Sequence, residues 1–322
     1  MQNLRLLLYP FSILYNGVTS LRNYAFDKGV LEQHEFEIPI IAVGNLSTGG
    51  TGKTPMIEYF IKKNKGLKIG VLSRGYGRKT SGYIEIDLND TVHKVGDEPL
   101  QIKLKFKDLI VSAVCEKRVD GIHNLLNNHD LDLILLDDAY QHRHVKASHY
   151  VLLTSYGNLY KDDYLLPAGN LRESRSGANR AQTVVVTKCP ASISVDEALI
   201  IKQKLQLLPS QQLCFSYIAY DDFVYGATAR KNLNDFKGRE VTVVTGIANP
   251  VPFIKYLKKF ITVDHLKYTD HHNFTNEEVE VIRSKEIVIT TEKDYVRLKN
   301  LDLPNVMYLP IQTKFIGEEP SL

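Results

Sequence analysis

The residues with the clearest chemistry lie in one run, Ser47-Thr48-Gly49-Gly50-Thr51-Gly52-Lys53-Thr54. The glycines let successive backbone N–H groups turn inward, the arrangement that cradles a chain of phosphates. A helix starting directly after the run adds its positive N-terminal end. Lys53 is placed to reach β- and γ-phosphates, and the Thr54 hydroxyl to hold Mg²⁺. Pro55 suits an early helical position, where no N–H partner is needed. The strict pattern GxxxxGK[ST] has glycine where Ser47 stands, so the match is relaxed at one place. The bland alternative is a glycine-rich strand-to-helix turn, and the Lys-Thr pair after the last glycine favours nucleotide binding over it. The ATPase class that carries a lysine just before its Gly-Gly pair is disfavoured, because Thr48 stands there. No Asn-Lys-x-Asp run is present to read guanine; Thr187-Lys188-Cys189-Pro190 and Thr291-Glu292-Lys293-Asp294 are the nearest. The sequence therefore points to ATP rather than GTP.

Three acidic groups are further candidates. The apolar run Leu131–Leu136 ends in Asp137-Asp138. Carboxylates at the carboxyl end of a parallel strand face the ligand crevice, where one could complete a Mg²⁺ shell with Thr54. A helix cap or turn is the bland alternative for such an Asp pair, and the phosphate loop upstream favours the metal reading for at least one of the two. Gly96-Asp97-Glu98-Pro99 is built of ordinary turn dipeptides and says little alone. Asp270-His271-His272 sets an acid beside two imidazoles. If the run is a strand, the two histidines face opposite ways and have different roles; a solvated polar loop is the competing reading.

These residues need elements to position them. The apolar runs Ile38–Val43, Lys68–Leu72, Leu109–Val114, Leu131–Leu136, Tyr150–Leu153 and Thr183–Val186 read as parallel strands buried on both faces. Pro55–Lys63 reads as a helix, and helix-like pieces fall between several of the strands, the βαβ signature of a doubly wound domain. After Pro209, Gln211–Tyr220 and Phe223–Ala227 read as a hairpin turned at Asp221-Asp222. Strand–helix alternation then resumes with Glu240–Thr245, Pro252–Lys259, Glu277–Ser284 and Ile287–Thr290, with Val306–Leu309 as a last strand. The fold class expected is α/β: a P-loop NTPase-like lobe on a parallel sheet, and a second, smaller α/β lobe joined to it by a two-stranded β linker. The expected divisions are an N-terminal helix at 1–28, the nucleotide-binding lobe at 29–210, the linker at 211–229 and the second lobe at 230–322.

The 322 residues are 43% apolar and 24% charged, which excludes a collagen-like or mainly disordered chain. A net charge of +3 gives no sign of nucleic acid as a partner. Cys115, Cys189 and Cys214 are far apart and form neither a zinc motif nor a disulfide framework, as suits a reducing compartment. One stretch departs from these averages. Leu6–Leu21 carries no charge, yet it is too short and too interrupted by Pro10, Asn16 and Gly17 to span a bilayer. Either it packs on the domain, or it lies in a membrane interface flanked by Arg5, Arg22 and Lys28, with tyrosines at headgroup depth.

Further runs join these motifs in order. Ser73-Arg74-Gly75-Tyr76-Gly77-Arg78 follows the phosphate loop and precedes Gly96–Pro99. Asp137-Asp138-Ala139-Tyr140-Gln141-His142 and Leu166-Pro167-Ala168-Gly169-Asn170-Leu171-Arg172-Glu173 come next. Asp270-His271-His272-Asn273-Phe274 and Thr291-Glu292-Lys293-Asp294 close the series. Together they resemble the tetraacyldisaccharide 4′-kinase (lipid A 4′-kinase) family over nearly the whole chain, and serine at the first glycine position is that family's usual form. The resemblance implies transfer of the ATP γ-phosphate to the 4′-hydroxyl of a lipid disaccharide 1-phosphate, at the cytoplasmic face of the inner membrane. It implies a membrane-associated N-terminal helix, ATP and Mg²⁺ as cofactors, and no required protein partner. Lys53 and the loop N–H groups would hold phosphates. Thr54, Glu98 and one or both of Asp137 and Asp138 would hold Mg²⁺. Asp97 and His271 would form a catalytic dyad drawn from both lobes. Arg74, Tyr76, Arg118, Gln141 and His142 would line the substrate cleft. Arg172 and Arg175 receive no role, and His272 stands where an aromatic can stand. A nucleotide-switch ATPase, or a soluble small-molecule kinase with its first helix packed on the core, are the alternatives.

Overall fold

Strands whose every residue is apolar need cover on both faces, and the first lobe supplies it. In the computed structural model, which describes residues 2–321, its strands are β1 (Ile40–Asn45), β2 (Ile69–Ser73), β3 (Ile84–Glu85), β4 (Ile110–Val114), β5 (Leu133–Asp137), β6 (His149–Ser155), β7 (Thr183–Thr187) and β8 (Gln212–Tyr220). The chain then builds a second sheet from β9 (Phe223–Tyr225), β10 (Arg230–Asn232), β11 (Glu240–Thr245), β12 (Thr262–Lys267), β13 (Val288–Thr291) and β14 (Val306–Leu309). It returns to the first sheet as β15 (Ile311–Ile316).

The first sheet runs β15-β8-β7-β6-β1-β5-β2-β4-β3 and is parallel except at its edges, where β15 and β3 are antiparallel. Its period-two alternation divides the core. Ile41 and Val43 of β1 join Leu133 and Leu135 of β5 against Met56, Ile57 and Phe60 of the Lys53–Lys63 helix. Ile40 and Ala42 join Ile134 and Leu136 on the opposite face, against Ile122 and Leu125 of the Arg118–Asn128 helix. The neighbours β1 and β5 thus bring the phosphate loop and the Asp137-Asp138 pair to the same carboxyl edge, with Val43 opposite Asp137. In the second sheet β11 to β14 are mutually parallel, and β9 and β10 are antiparallel additions. Phe253 and Leu257 cover one face; Val279, Ile282 and Leu298 cover the other.

The expected hairpin linker is corrected by the pairing. β8 and β9 do not pair with each other: β8 is a nine-residue strand of the first sheet and β9 belongs to the second. The two-stranded connection is instead β8 with β15, in register from Phe215–Ile316 to Tyr220–Ile311. The second lobe accordingly does not run to residue 322. Exposed backbone at the edge of β8 needs a partner, and the chain end supplies it from about 90 residues away, beyond the reach of a local turn signal. The strand β12 was also unexpected, because Thr262–Lys267 carries Asp264 and His265 on a half-exposed edge.

The N-terminal segment forms a 19-residue helix, Tyr9–Asp27, preceded by a 3₁₀ turn at Leu6–Leu8. Its polar side faces the protein. Ser12 Oγ donates to Leu165 O (2.9 Å), Tyr15 OH to Arg172 O (2.8 Å) and Asn23 Nδ2 to Glu173 Oε2 (2.8 Å). Leu4, Leu7, Phe11, Leu14, Val18 and Leu21, spaced alternately three and four residues apart, are all exposed. The two expected flanking arginines both bond the protein: Arg5 donates to Pro167 O and Asn170 Oδ1, and Arg22, which stays exposed, to Gln141 O. Among the described residues no helix is long and apolar enough to cross a membrane.

Candidate active site

The loop after β1 is held open by its surroundings. Thr48 N donates to Asn170 O (2.8 Å), and Asn45 Nδ2 donates to Ser47 O (2.6 Å). Gly49 and Gly52 have φ of 105° and 88°, conformations that only glycine adopts without strain, and Gly52 leads directly into Lys53, the first residue of its helix. Thr187 Oγ1 fastens Thr51 O at 2.7 Å, and Lys188 Nζ caps Gly50 O. Thr54 is buried in the first helical turn. Ser47, Thr48, Gly49, Gly50, Thr51, Gly52, Lys53 and Thr54 therefore form one pocket-like turn at a helix N-terminus.

Two aspartates at the end of β5 have opposite electrostatic surroundings. Asp137 is buried; its Oδ2 accepts from Ser73 Oγ (3.3 Å), and its Oδ1 has no partner among the described residues. Burial first, then the nearby Glu98 and Asp138 charges, push the Asp137 carboxyl up to about 7. A carboxylate so placed is short of positive charge, and a divalent cation would supply it. Asp138 stands in the left-handed region (φ 47°) with Lys53 Nζ at 3.7 Å and Arg172 Nη2 at 2.9 Å. Burial opposes its ionisation, but these two cations outweigh burial and hold its carboxyl below the ordinary range. Among the described residues no three His, Cys, Asp or Glu side chains are gathered closely enough to hold a metal by themselves. A cation here would draw on Thr54 and phosphate oxygens as well as on Asp137, Asp138 and Glu98.

The expected cleft residues divide. Arg74 and Tyr76 are exposed and free to meet a ligand, with the Tyr76 ring 6.3 Å from that of His271. Arg118 is not available in the same way. It is buried, donating to Cys115 O (2.5 Å) and Asp137 O (3.1 Å), so it fixes the backbone that presents Asp137. Gln141 is likewise occupied, by Asn45 O (2.9 Å) and Glu173 Oε1 (3.0 Å). His142 is half-buried; burial, followed by the Arg118 and Arg74 charges, pushes its imidazole down to about 4.

Asp97 begins the Asp97–Phe106 helix behind Gly96, whose φ of 91° and close approach to Tyr76 O exclude a side chain. His271 reaches Asp97 from the second lobe, with Nδ1 2.9 Å from Asp97 Oδ2. Arg297 Nη2 donates to the same oxygen, and Lys293 Nζ lies 3.9 Å from it. Burial would raise the Asp97 carboxyl, but the His271 hydrogen bond, Lys293 and Arg297 together hold it well below the usual carboxylate range. Lys293 Nζ also lies 3.4 Å from Glu98 Oε1, so one ammonium links Glu98 to the Asp97–His271 pair. The histidines diverge by a route other than strand alternation. Residues 270 and 271 form a turn in which His271 has φ 57°. His272 instead pairs with Glu278 (2.8 Å) and stacks on Tyr268.

The match to known proteins covers this whole arrangement. The family described as Tetraacyldisaccharide-1-P 4′-kinase (LpxK) matches residues 4–322. The chain belongs to this family. Relatives named tetraacyldisaccharide 4′-kinase include one from Flavobacterium johnsoniae, 50% identical and covered over 100% of this chain and 96% of its own. Another, from Bacteroides fragilis, is 42% identical over 97% of this chain and 89% of its own. A crystal structure of LpxK from Aquifex aeolicus in complex with ATP superposes with a TM-score of 0.79, at 29% identity, over 98% of this chain and 96% of that one.

Several site residues were not assigned from sequence. Arg172 bridges Asp138 and Asn45, and Lys188 caps the phosphate loop. Lys293 and Arg297 meet the Asp97–His271 pair from one short helix, with Asp294 of the same helix pairing Arg297. The signal for this last group was present, since Lys293 and Arg297 are four apart and share a helix face. Only the position of Asp97 in space shows which face matters.

Proposed function

We propose that this chain is a lipid kinase that transfers the γ-phosphate of ATP to the 4′-hydroxyl of tetraacyldisaccharide 1-phosphate. The observation that carries the reading is the Asp97–His271 pair, joined across two lobes beside the Glu98 edge of the phosphate-loop crevice. A nucleotide switch has no need of such a pair, whereas an alcohol acceptor does. As the sugar oxygen bonds to the γ-phosphorus and the bond to the ADP oxygen breaks, the hydroxyl proton must leave, and the Asp97–His271 pair takes it as one coupled unit. The loop N–H groups of Ser47 to Thr54 and the Lys53 ammonium hold the phosphates and balance their charge. Thr54, Asp137, Asp138 and Glu98 would hold Mg²⁺, which when bound would supply positive charge against the phosphate chain. Arg74 and Tyr76 line the acceptor side; Arg118, Gln141 and His142 support it from beneath.

The lipid reaches the site through the first helix. Its exposed leucine stripe lies in the bilayer interface at the cytoplasmic face of the inner membrane, making the enzyme peripheral or monotopic. Closure of the two lobes around ATP would exclude water, so that phosphate passes to the sugar rather than to solvent. The test is ATP turnover with and without tetraacyldisaccharide 1-phosphate. Turnover that rises steeply with the lipid is expected; turnover indifferent to it contradicts the kinase reading and fits a switch ATPase.

A further inference from the structure

The helix Glu292–Leu298 places two cations on the dyad that the chemistry above does not use. Arg297 is buried. Its Nη2 donates to Asp97 Oδ2, while its Nη1 donates to Asp294 Oδ1 (3.0 Å) and to Gly246 O (3.2 Å). Asp294 is fully buried, and its other oxygen accepts from Gly246 N (2.9 Å) and Thr291 Oγ1 (2.7 Å). His271 N donates to the same Gly246 O, at 3.2 Å. The end of β11 thus anchors both the guanidinium and the imidazole that meet on Asp97.

Lys293 acts on the other side of the ring. Its Nζ is 3.1 Å from His271 Nε2. An ammonium only donates, so this contact uses the Nε2 lone pair and leaves the ring proton on Nδ1. Nδ1 faces Asp97 Oδ2 at 2.9 Å and donates to it. Arg297 Nη2 lies 3.2 Å from Nδ1, but it too only donates, so both groups converge on the carboxylate rather than on each other. Lys293 is further seated by Glu98 (3.4 Å) and Asp270 (3.8 Å).

We propose that Arg297 and Lys293 are positioning residues for phosphoryl transfer: Arg297 fixes Asp97, and Lys293 fixes the tautomer and orientation of His271. The proposal rests on the lipid-kinase reading. Asp97 comes from the first lobe, where Glu98 N donates to its Oδ1 (2.9 Å), and every charged side chain that orients it comes from the second, so the dyad exists only while the Glu292–Leu298 helix is seated on the Asp97–Phe106 helix. Neither cation touches the loop that holds ATP.

The test compares the full-length enzyme with Arg297→Ala, Arg297→Lys and Lys293→Met, each alone and combined with Asp97→Ala, in lipid phosphorylation with ATP and acceptor varied. Arg297→Ala and Lys293→Met are expected to lower kcat about 10–100-fold, as misplacement of a reacting group by about 1 Å does, with the KM for ATP unchanged. Combined with Asp97→Ala, neither is expected to add a further loss, because the group it positions is gone. Arg297→Lys should recover part of the rate, and added guanidinium should partly restore Arg297→Ala. Wild-type kcat in the single variants overturns the proposal, as do losses that multiply in the double variants. So does a raised KM for ATP at unchanged kcat. Arg297 is buried and its loss can unfold the protein, so melting temperatures are measured for every variant; Lys293→Met and Arg297→Lys decide the matter where Arg297→Ala does not fold. An unmodified enzyme that fails to phosphorylate the lipid refutes the kinase reading. A lipid kinase that needs Asp97 but neither Lys293 nor Arg297 refutes only the positioning role.

Discussion

A carboxylate buried against an imidazole and two cationic side chains does not act as an isolated base. Asp97 is held as the anion by His271 and Arg297, and the pair should fail together. Asp97→Ala and His271→Ala are each expected to cut kcat by about 10²–10⁴-fold, the usual range for a general acid–base group, with ATP affinity nearly intact. Lys53→Ala should instead weaken ATP binding, read by calorimetry; unchanged affinity and rate would remove Lys53 from its role. At this scale much was legible. The turn at Ser47–Thr54 is a local device, set by its glycines and the helix that starts at Lys53. Arg118 shows the limit. Its type suggests a phosphate ligand, but its guanidinium is spent on two backbone carbonyls, a fact of tertiary packing that no local spacing carries.

Elements meet at a second charged junction. Glu58 of the phosphate-loop helix, Lys105 of the Asp97–Phe106 helix and Glu292 of the second lobe form a buried cluster, with Lys105 Nζ 2.6 Å from Glu58 and 2.8 Å from Glu292. Glu292 also accepts from Ile311 N (3.0 Å), where the chain turns back into the first sheet. Burial, then the Glu292 charge, raise the Glu58 carboxyl to about 7 from an ordinary 4.5. A carboxyl raised by folding contributes stability that is present below the unfolded value and is lost as pH rises through the folded one. The window is therefore pH 4.5 to 7. Glu58→Gln removes that loss, so the melting temperature of the variant relative to wild type should climb between pH 5 and pH 8. An equal difference at both pH values would contradict the assignment. The strands and helices around this cluster were largely legible from their apolar runs. The β8–β15 pairing was not, because a strand of alternating Ile, Thr and Phe near the chain end states its own conformation but not its distant partner.

Across the whole molecule, the first helix is turned inside out relative to a packed surface helix. Its serine, tyrosine and asparagine side chains bond the Leu165–Glu173 loop, and its leucines point away. That loop also touches the phosphate loop, through Asn170 O on Thr48 N, so the first helix and the phosphate loop share one support. Leu14→Glu with Leu21→Glu should reduce pelleting with phospholipid vesicles by at least about tenfold, since each leucine loses roughly 1.5–3 kcal/mol of burial. The melting temperature should not change, because both side chains are already exposed. Vesicle binding equal to wild type would mean that the stripe does not meet the bilayer. Sequence alone offers packing and interfacial seating as alternatives; the structure shows the packing, on Leu165, Arg172 and Glu173, and an exposed apolar face opposite it, which no local spacing states. The central claim joins all three scales and is tested most directly by the product. Incubated with Mg-ATP and tetraacyldisaccharide 1-phosphate, the enzyme should add one phosphate to the lipid, seen by mass spectrometry and placed at the 4′ position by phosphorus NMR, and Asp97→Ala should not. ATP consumed to ADP and free phosphate, with the lipid unchanged, would contradict the account.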